Sequence, residues 1–421
     1  MTAPTGRRTV LASLASGTAA LALAACGPGH AFLAGGAGPV YPLDPSPTGA
    51  PVLRPSALAA LSTPTPSPAS DPTGEPSGPT SSDAPSTKAT RVSVALTGDV
   101  LIHNGVWQTA ERDAARRGET LPDFRPMFAG IKPRIESADL AICHLETPLS
   151  RPRGPYLNYP IFSAPPTVLD GLIAAGYDGC TTASNHSVDR GFTGLVRTIR
   201  AMDDRDLPHT GTNARPRDAL RPLVFTVHGV EIGLISMTFG TNGLPVSKPW
   251  SVNLIDVPRA IAQARTMHRA GVDVVMVAVH AGDEYSHVPS AQQVAVFHAL
   301  ARSPYVDLVY GHHSHVVEPV RRVEGTWVVY GLGNLVAEQE TAIPDTYRGV
   351  IAQVVFVQRP DGTYRAERPT YTPTVITDPQ SHGATRVLDA TALLGRPGEP
   401  SWLRRLARAS IESVRTIQAV D

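Results

Sequence analysis

The stretch DLVYGHHSHVVEPV, Asp307 to Val320, joins an apolar, β-prone run to three histidines within four residues. The run up to Tyr310 suits a strand buried in a sheet, and the histidines fall where that strand should end. Five other runs repeat the pattern: RVSVALTGD (91–99), DLAICHLE (139–146), DGCTTASNH (178–186), VEIGLISMTFG (230–240) and DVVMVAVHAGDE (273–284). Nearly every run stops on polar, chemically capable residues. Helix-like stretches at Pro166 to Gly176, Val188 to Asp203, Val257 to Gly271 and Pro289 to Arg302 lie between strand candidates. Strands alternating with helices predict an α/β domain.

In such sheets, ligands bind beyond the carboxyl ends of the strands, so residues distant in sequence converge there. The candidates are Asp99, His144 with Glu146, Asn185 with His186, His280 with Asp283 and Glu284, and His312, His313 and His315. One histidine at a strand end is usually a hydrogen-bonded structural residue; five agreeing strand ends indicate a site. Imidazole, carboxylate and amide donors suit borderline divalent metals. An extended backbone would put His313 and His315 on one face as ligands and turn His312 away into a supporting part.

Competing chemistries lack their motifs. Ser184 beside His186 has no G-x-S-x-G elbow. GTNGLPVS from Gly240 has no G-K-[ST] ending, so it is not a phosphate loop. Water is therefore the candidate nucleophile. Lysine plus arginine number 37, as do aspartate plus glutamate, and no basic block stands out, so no nucleic-acid partner is expected.

The ends of the chain read differently. Residues 1–26 carry Arg7 and Arg8, an apolar core and LAAC before the sulfur of Cys26, which resembles an export signal with a bacterial lipobox. Arg7–Arg8 leave Sec and twin-arginine export both open. Residues 27–90 are rich in proline, serine, threonine and glycine and read as a disordered tether. The folded domain is expected over 91–380, where strands around a turn at Asp361 and Gly362 complete the sheets. Residues 381–421 form an extension with a helix, read as packing on the domain rather than on a membrane. For Cys143 and Cys180, a disulfide and two buried thiols both fit.

Six motifs in order, LTGDV, ADLAICHLETPLS, ASNHSVDRG, HAGDEYSH, GHHSHVVEPV and YGLGNLV, resemble those of the bacterial CapA or PgsA capsule-synthesis proteins associated with poly-γ-glutamate. The resemblance covers about Val92 to Val336. It implies a fold similar to calcineurin-like metallophosphoesterases, a layered β-sandwich flanked by helices, with one or two divalent ions, manganese, zinc or iron. It further implies metal ligation by Asp99, Glu146, Asn185, His280, His313 and His315, with His186 as the acid. Asp189, Glu284, Tyr285 and Asn334 match supporting or substrate-facing positions. His144 stands where the family usually has asparagine, and Ala281 where it has tryptophan. Asp99 also lacks the histidine two residues on that true metallophosphoesterases carry, leaving His144 or His103 to replace it. The implied function is a lipid-anchored surface protein of capsule or envelope-polymer synthesis, hydrolysing or transferring at an anionic polymer or phosphoester. The alternatives are a non-enzymatic, metal-stabilised partner of a membrane synthase complex and a substrate-binding lipoprotein.

Overall fold

A computed structural model describes residues 90–419. The expected export signal, Cys26 and the tether up to residue 89 lie outside the described residues. Among the described residues, fifteen strands form two sheets. The first begins with β1 (Arg91–Val100), β2 (Leu140–Leu145), β3 (Gly179–Thr181) and β4 (His209–Thr210), all parallel neighbours. The chain then builds the second sheet from β5 (Leu223–Val227), β6 (Val230–Thr238), β7 (Val274–His280), β8 (Leu308–His312), β9 (Val320–Val323) and β10 (Thr326–Val329). Its order is β5-β6-β7-β8-β10-β9, with β6, β7, β8 and β10 parallel. The chain returns to the first sheet with β11 (Asn334–Val336), β12 (Arg348–Gln358), β13 (Tyr364–Ala366), β14 (Thr370–Ile376) and β15 (Val387–Asp389).

Alternation along the strands explains why the sheets stack. Val92, Val94 and Leu96 of β1 and Leu140 and Ile142 of β2 share one buried cluster with Val274 and Met276 of β7 and Leu308 and Tyr310 of β8. Residues one step out of phase point the other way. Ala141 and Cys143 pack with Phe124, Met127 and Leu169, while Val275, Val277 and Val309 pack with Ala264 and Phe297. Both faces of each sheet's centre are thus apolar, which is why these strands read as continuous hydrophobic runs. The layered α/β sandwich matches the expectation.

The helices Val168–Ala175, Gly191–Asp203, Val257–Arg269 and Ala291–Ala301 lie where periodicity predicts them. Ser290 and Gln293 form a reciprocal capping box at the last of these. The helix Asn104–Arg116, buried through Val106, Trp107 and Ala110, was not anticipated. No helix among the described residues is long and apolar enough to cross a membrane.

Residue 380, the expected end of the domain, precedes a strand that pairs with β14 at the sheet edge. The helix Ser401–Ala419 packs Leu403 and Ala407 against Val375 and donates Ser410 Oγ to Thr374 O at 2.8 Å. Cys143 and Cys180 are partners across β2 and β3, with Cα atoms 4.4 Å apart, and are joined as a disulfide.

Candidate metal centre

The site forms where the between-sheet layer reaches the carboxyl ends of the parallel strands. His144 continues the phase of Leu140 and Ile142, His280 that of Met276 and Ala278, and His312 that of Leu308 and Tyr310. All three rings therefore enter the gap between the sheets. Asp99 has the wrong phase to join them, since alternation from Leu96 would point Gly98 inward. A bulge corrects this. Leu96 pairs with Ile142, but the next partners are Asp99 and His144, three residues along β1 against two along β2. Gly98 allows the accompanying close approach: a Cβ there would lie on the Gly333 carbonyl of the strand-end loop before β11.

Two hydrogen bonds then cross between the sheets. His312 Nδ1 meets Asp99 Oδ1 at 2.9 Å, and His144 Nε2 meets His280 Nδ1 at 3.0 Å. The His144 and His312 rings stack 4.0 Å apart. His144 Nδ1 also reaches Thr181 Oγ1 at 2.8 Å, and His280 Nε2 reaches Asn185 Oδ1 at 2.9 Å. Asp99 Oδ2 accepts from the His313 amide and lies 3.2 Å from His315 Nδ1, which also meets Asn334 Oδ1 at 3.0 Å.

The expectation that His312 turns away is corrected. Strand β8 runs through His312, so its phase carries that ring inward; extended geometry ends there, with φ of 92° at His313 and 57° at His315. Tyr285 and Asn242 are also left-handed, so four of the seven described non-glycine residues with positive φ stand around this site. Such conformations persist only where surrounding contacts hold them. Here Tyr285 N donates to Ser314 O at 2.8 Å, and Asn242 Oδ1 accepts from Asn185 Nδ2 at 3.2 Å.

Electrostatics divides the carboxylates. Burial alone would raise Asp99, but hydrogen bonds from His312 and His315 hold it well below the usual range. Burial pushes the Glu146 carboxyl well above that range. Neither Glu146 oxygen has a hydrogen-bond partner, although both are buried; His280 Nε2 stands 3.8 Å and His315 Nε2 4.0 Å from Oε1. His315 is raised to about 10, Glu146 and Asp99 outweighing its burial, whereas burial and the His315 charge press His313 to about 3. His144 and His280 are also depressed, by burial first and neighbouring imidazoles second.

These residues fit a divalent cation. Four overlapping sets bring ligand atoms within 4.8 Å of one another: Asp99, His144 and His280; Glu146, His280 and His313; Glu284, His313 and His315; and Asp99, Glu146 and His315. The orphaned Glu146 oxygens and the unpaired buried Nδ1 of His313 point to the same conclusion from a separate observation.

The remaining candidates surround this cluster. His186 Nδ1 meets Asp189 Oδ2 at 2.8 Å, the same oxygen that accepts from Phe162 N, and Phe162 packs edge-on to the His186 ring at 4.8 Å. His103 accepts from Glu338 N through Nδ1 and belongs to none of the four sets, so His144 rather than His103 stands opposite Asp99. Glu284 and Tyr285 are exposed at the mouth, where Phe239 lies 4.6 Å from the His313 ring. Sequence reasoning missed Thr181, Phe162 and Phe239. Phe162 and Phe239 bear no polar group, and Thr181 is hidden within a strand; only proximity to the motifs could have marked them.

Fold and site together define a two-sheet α/β protein with a candidate divalent-metal centre at converging strand ends. Residues 93–339 match the family described as Bacterial capsule synthesis protein PGA_cap, and the chain belongs to that family. It is 25% identical over 260 residues to the capsule biosynthesis protein CapA of Bacillus anthracis, covering 59% of this chain and 60% of the relative. It is 29% identical over 160 residues to the PGA biosynthesis protein CapA of Bacillus subtilis, covering 38% and 42%. It is 26% identical over 220 residues to a probable polyglutamine synthesis accessory protein of Mycobacterium tuberculosis, covering 48% and 57%. The chain thus spans about 60% or less of the length of these relatives. Among solved structures, the calcineurin-like phosphoesterase YfkN of Bacillus subtilis has a TM-score of 0.47 at 17% identity, over 77% of this chain and 99% of its own. The NAD nucleotidase of Haemophilus influenzae has a TM-score of 0.43 at 13% identity, over 78% and 61%.

Proposed function

We propose that this chain is a metal-dependent hydrolase of the bacterial envelope, lipid-anchored through Cys26 and acting on an anionic envelope polymer or a phosphoester beside a membrane synthase complex. The observation that carries this reading is Glu146, a buried carboxylate with both oxygens unpartnered among imidazole nitrogens. Relatives named for capsule and PGA biosynthesis support the envelope setting. Asp99, Glu146, Asn185, His280, His313 and His315 are assigned as ligands for one or two ions, with His144 completing the Asp99 side. An ion held by these residues would supply an activated water near neutral pH and polarise the oxygen under attack. His186, its Nδ1 fixed by Asp189, keeps its other ring nitrogen for the leaving-group oxygen. Asn334 and Thr181 orient His315 and His144.

A binding subunit without turnover is the second reading. It is favoured by the chain Thr181–His144–His280–Asn185, whose hydrogen bonds hold candidate ligands in place by themselves. Metal analysis of the purified protein, paired with chromogenic phosphomonoester and phosphodiester assays under manganese or zinc, separates the two. Stoichiometric metal with turnover supports the hydrolase. Metal without turnover on these or on anionic polymers supports the binding subunit, and absence of metal overturns both.

A further inference from the structure

We infer that an arginine-lined cleft beside the metal centre is a second binding site, one that takes a linear polyanion. This deepens the reading above, because the ligand it names is the anionic polymer proposed there.

The cleft has a volume of about 680 Å³ and lies where strand β4, at the edge of the first sheet, meets strand β5, at the edge of the second. Its floor includes Val196, Ile199 and Leu223, and its walls carry Arg200, Arg215, Arg217 and Arg221. Of the two carboxylates in the lining, Asp218 lies 3.9 Å from Arg217, and Asp203 is 3.2 Å from the His209 ring, which leaves the four arginines in excess. Arg200, Arg215 and Arg221 are exposed and make no side-chain hydrogen bond or ion pair among the described residues. Three uncompensated guanidinium groups around one cleft present forks suited to carboxylate or phosphate oxygens.

The cleft also leads to the centre. Strand β4 runs parallel to β3, so Thr212 and Asn213 beyond its end share the edge that carries Asn185 and His186. Thr212 lines the cleft and, with Glu146 and Thr182, a smaller cavity. Along the helix Gly191–Asp203, Arg197 stands one turn before Arg200 and donates Nε to Leu149 O at 2.8 Å, and Arg190 precedes the helix four residues after His186. Burial, with repulsion from Arg151 and Arg190, holds Arg197 below its ordinary value. A chain bearing regular negative charges can lie along this track with one segment at the metal centre.

The test is fluorescence anisotropy of the full chain with labelled polyglutamate and, separately, labelled polyphosphate of matched length, across a salt series. The wild type is expected to bind at least one, more weakly as salt rises. The triple variant R200Q/R215Q/R221Q should lose at least tenfold in affinity while keeping its melting temperature and metal content. Whichever probe binds more tightly identifies the carboxylate or the phosphate polymer. Unchanged binding in the triple variant, or binding abolished by Glu146→Gln alone, would overturn the cleft. Binding that survives Glu146→Gln keeps the cleft even if the metal centre proves inactive, so the two readings fail separately.

Discussion

His280 Nε2 lies 3.8 Å from Glu146 Oε1, beyond hydrogen-bonding range, and among the described residues no polar group takes the carboxylate in its place. A buried carboxylate in that position costs stability unless a cation joins it to the imidazoles around it.

Glu146→Gln should therefore act differently with and without metal. Outer ligand-orienting contacts are typically worth about 10- to 100-fold in metal affinity, so loss of a direct ligand should reach at least the upper end. In chelator the same substitution should leave the fold at least as stable as the wild type, because the wild-type carboxyl is held buried without a partner and is pushed toward its uncharged form. Thermal melts with and without metal check this; a variant less stable than wild type in chelator would contradict the ligand assignment.

His186→Asn should spare metal binding and slow turnover. Loss of a positioned general acid costs about 100- to 10,000-fold in rate. Asp189→Asn should give a smaller loss and displace the pH optimum, because it changes the hydrogen-bond partner of His186 Nδ1. Metal content and kcat, measured on the same preparations, separate this role from ligation.

Asp99→Asn should destabilise the metal-free fold, since Asp99 receives His312, His315 and the His313 amide together. Breaking a buried charged network by removing one partner costs about 3–5 kcal/mol. Urea denaturation in chelator measures it, and a change below about 1 kcal/mol would mean that these bonds do not hold the two sheets together at the mouth.

Glu318 gives the pH dependence. It is buried with Oε2 accepting from Gln293 Nε2 at 2.8 Å, and burial raises its carboxyl to about 7. A raised folded value means that its stabilisation is complete below the unfolded value near 4.5 and is lost as pH rises through about 7. Glu318→Gln should remove that loss, making the variant more stable relative to wild type at pH 8 than at pH 5 by on the order of 3 kcal/mol. Denaturation at the two pH values tests the difference.

The fold was legible because the central strands are apolar on both faces and end on polar residues able to bind or react, as in DVVMVAVHAGDE. The membership of the cluster was legible for the same reason: each strand end supplied a residue, and His144, His280 and His312 follow the phase of their own strands. What the sequence hid was local departure from regular geometry. The left-handed backbone at His313 and His315 defeats an argument that assumes extension, and so His312 was misplaced. The arginine cleft escaped notice because its members come from a helix and a loop, and no basic run marks them. Glu318 escaped because VVEPV reads as an ordinary strand end.

The bulge between Leu96 and Asp99 makes the centre sensitive to counting as well as to chemistry. Inserting one residue opposite it, between Ile142 and His144 of β2, would restore regular pairing at three residues against three and turn Asp99 and His144 toward the helical layer, away from His280 and His312. Chains of this family that keep every motif but differ by one residue in this segment would then share a signature without sharing a centre. Length between landmarks, more than the identity of the landmarks, is the property to inspect when function is transferred from one such chain to another.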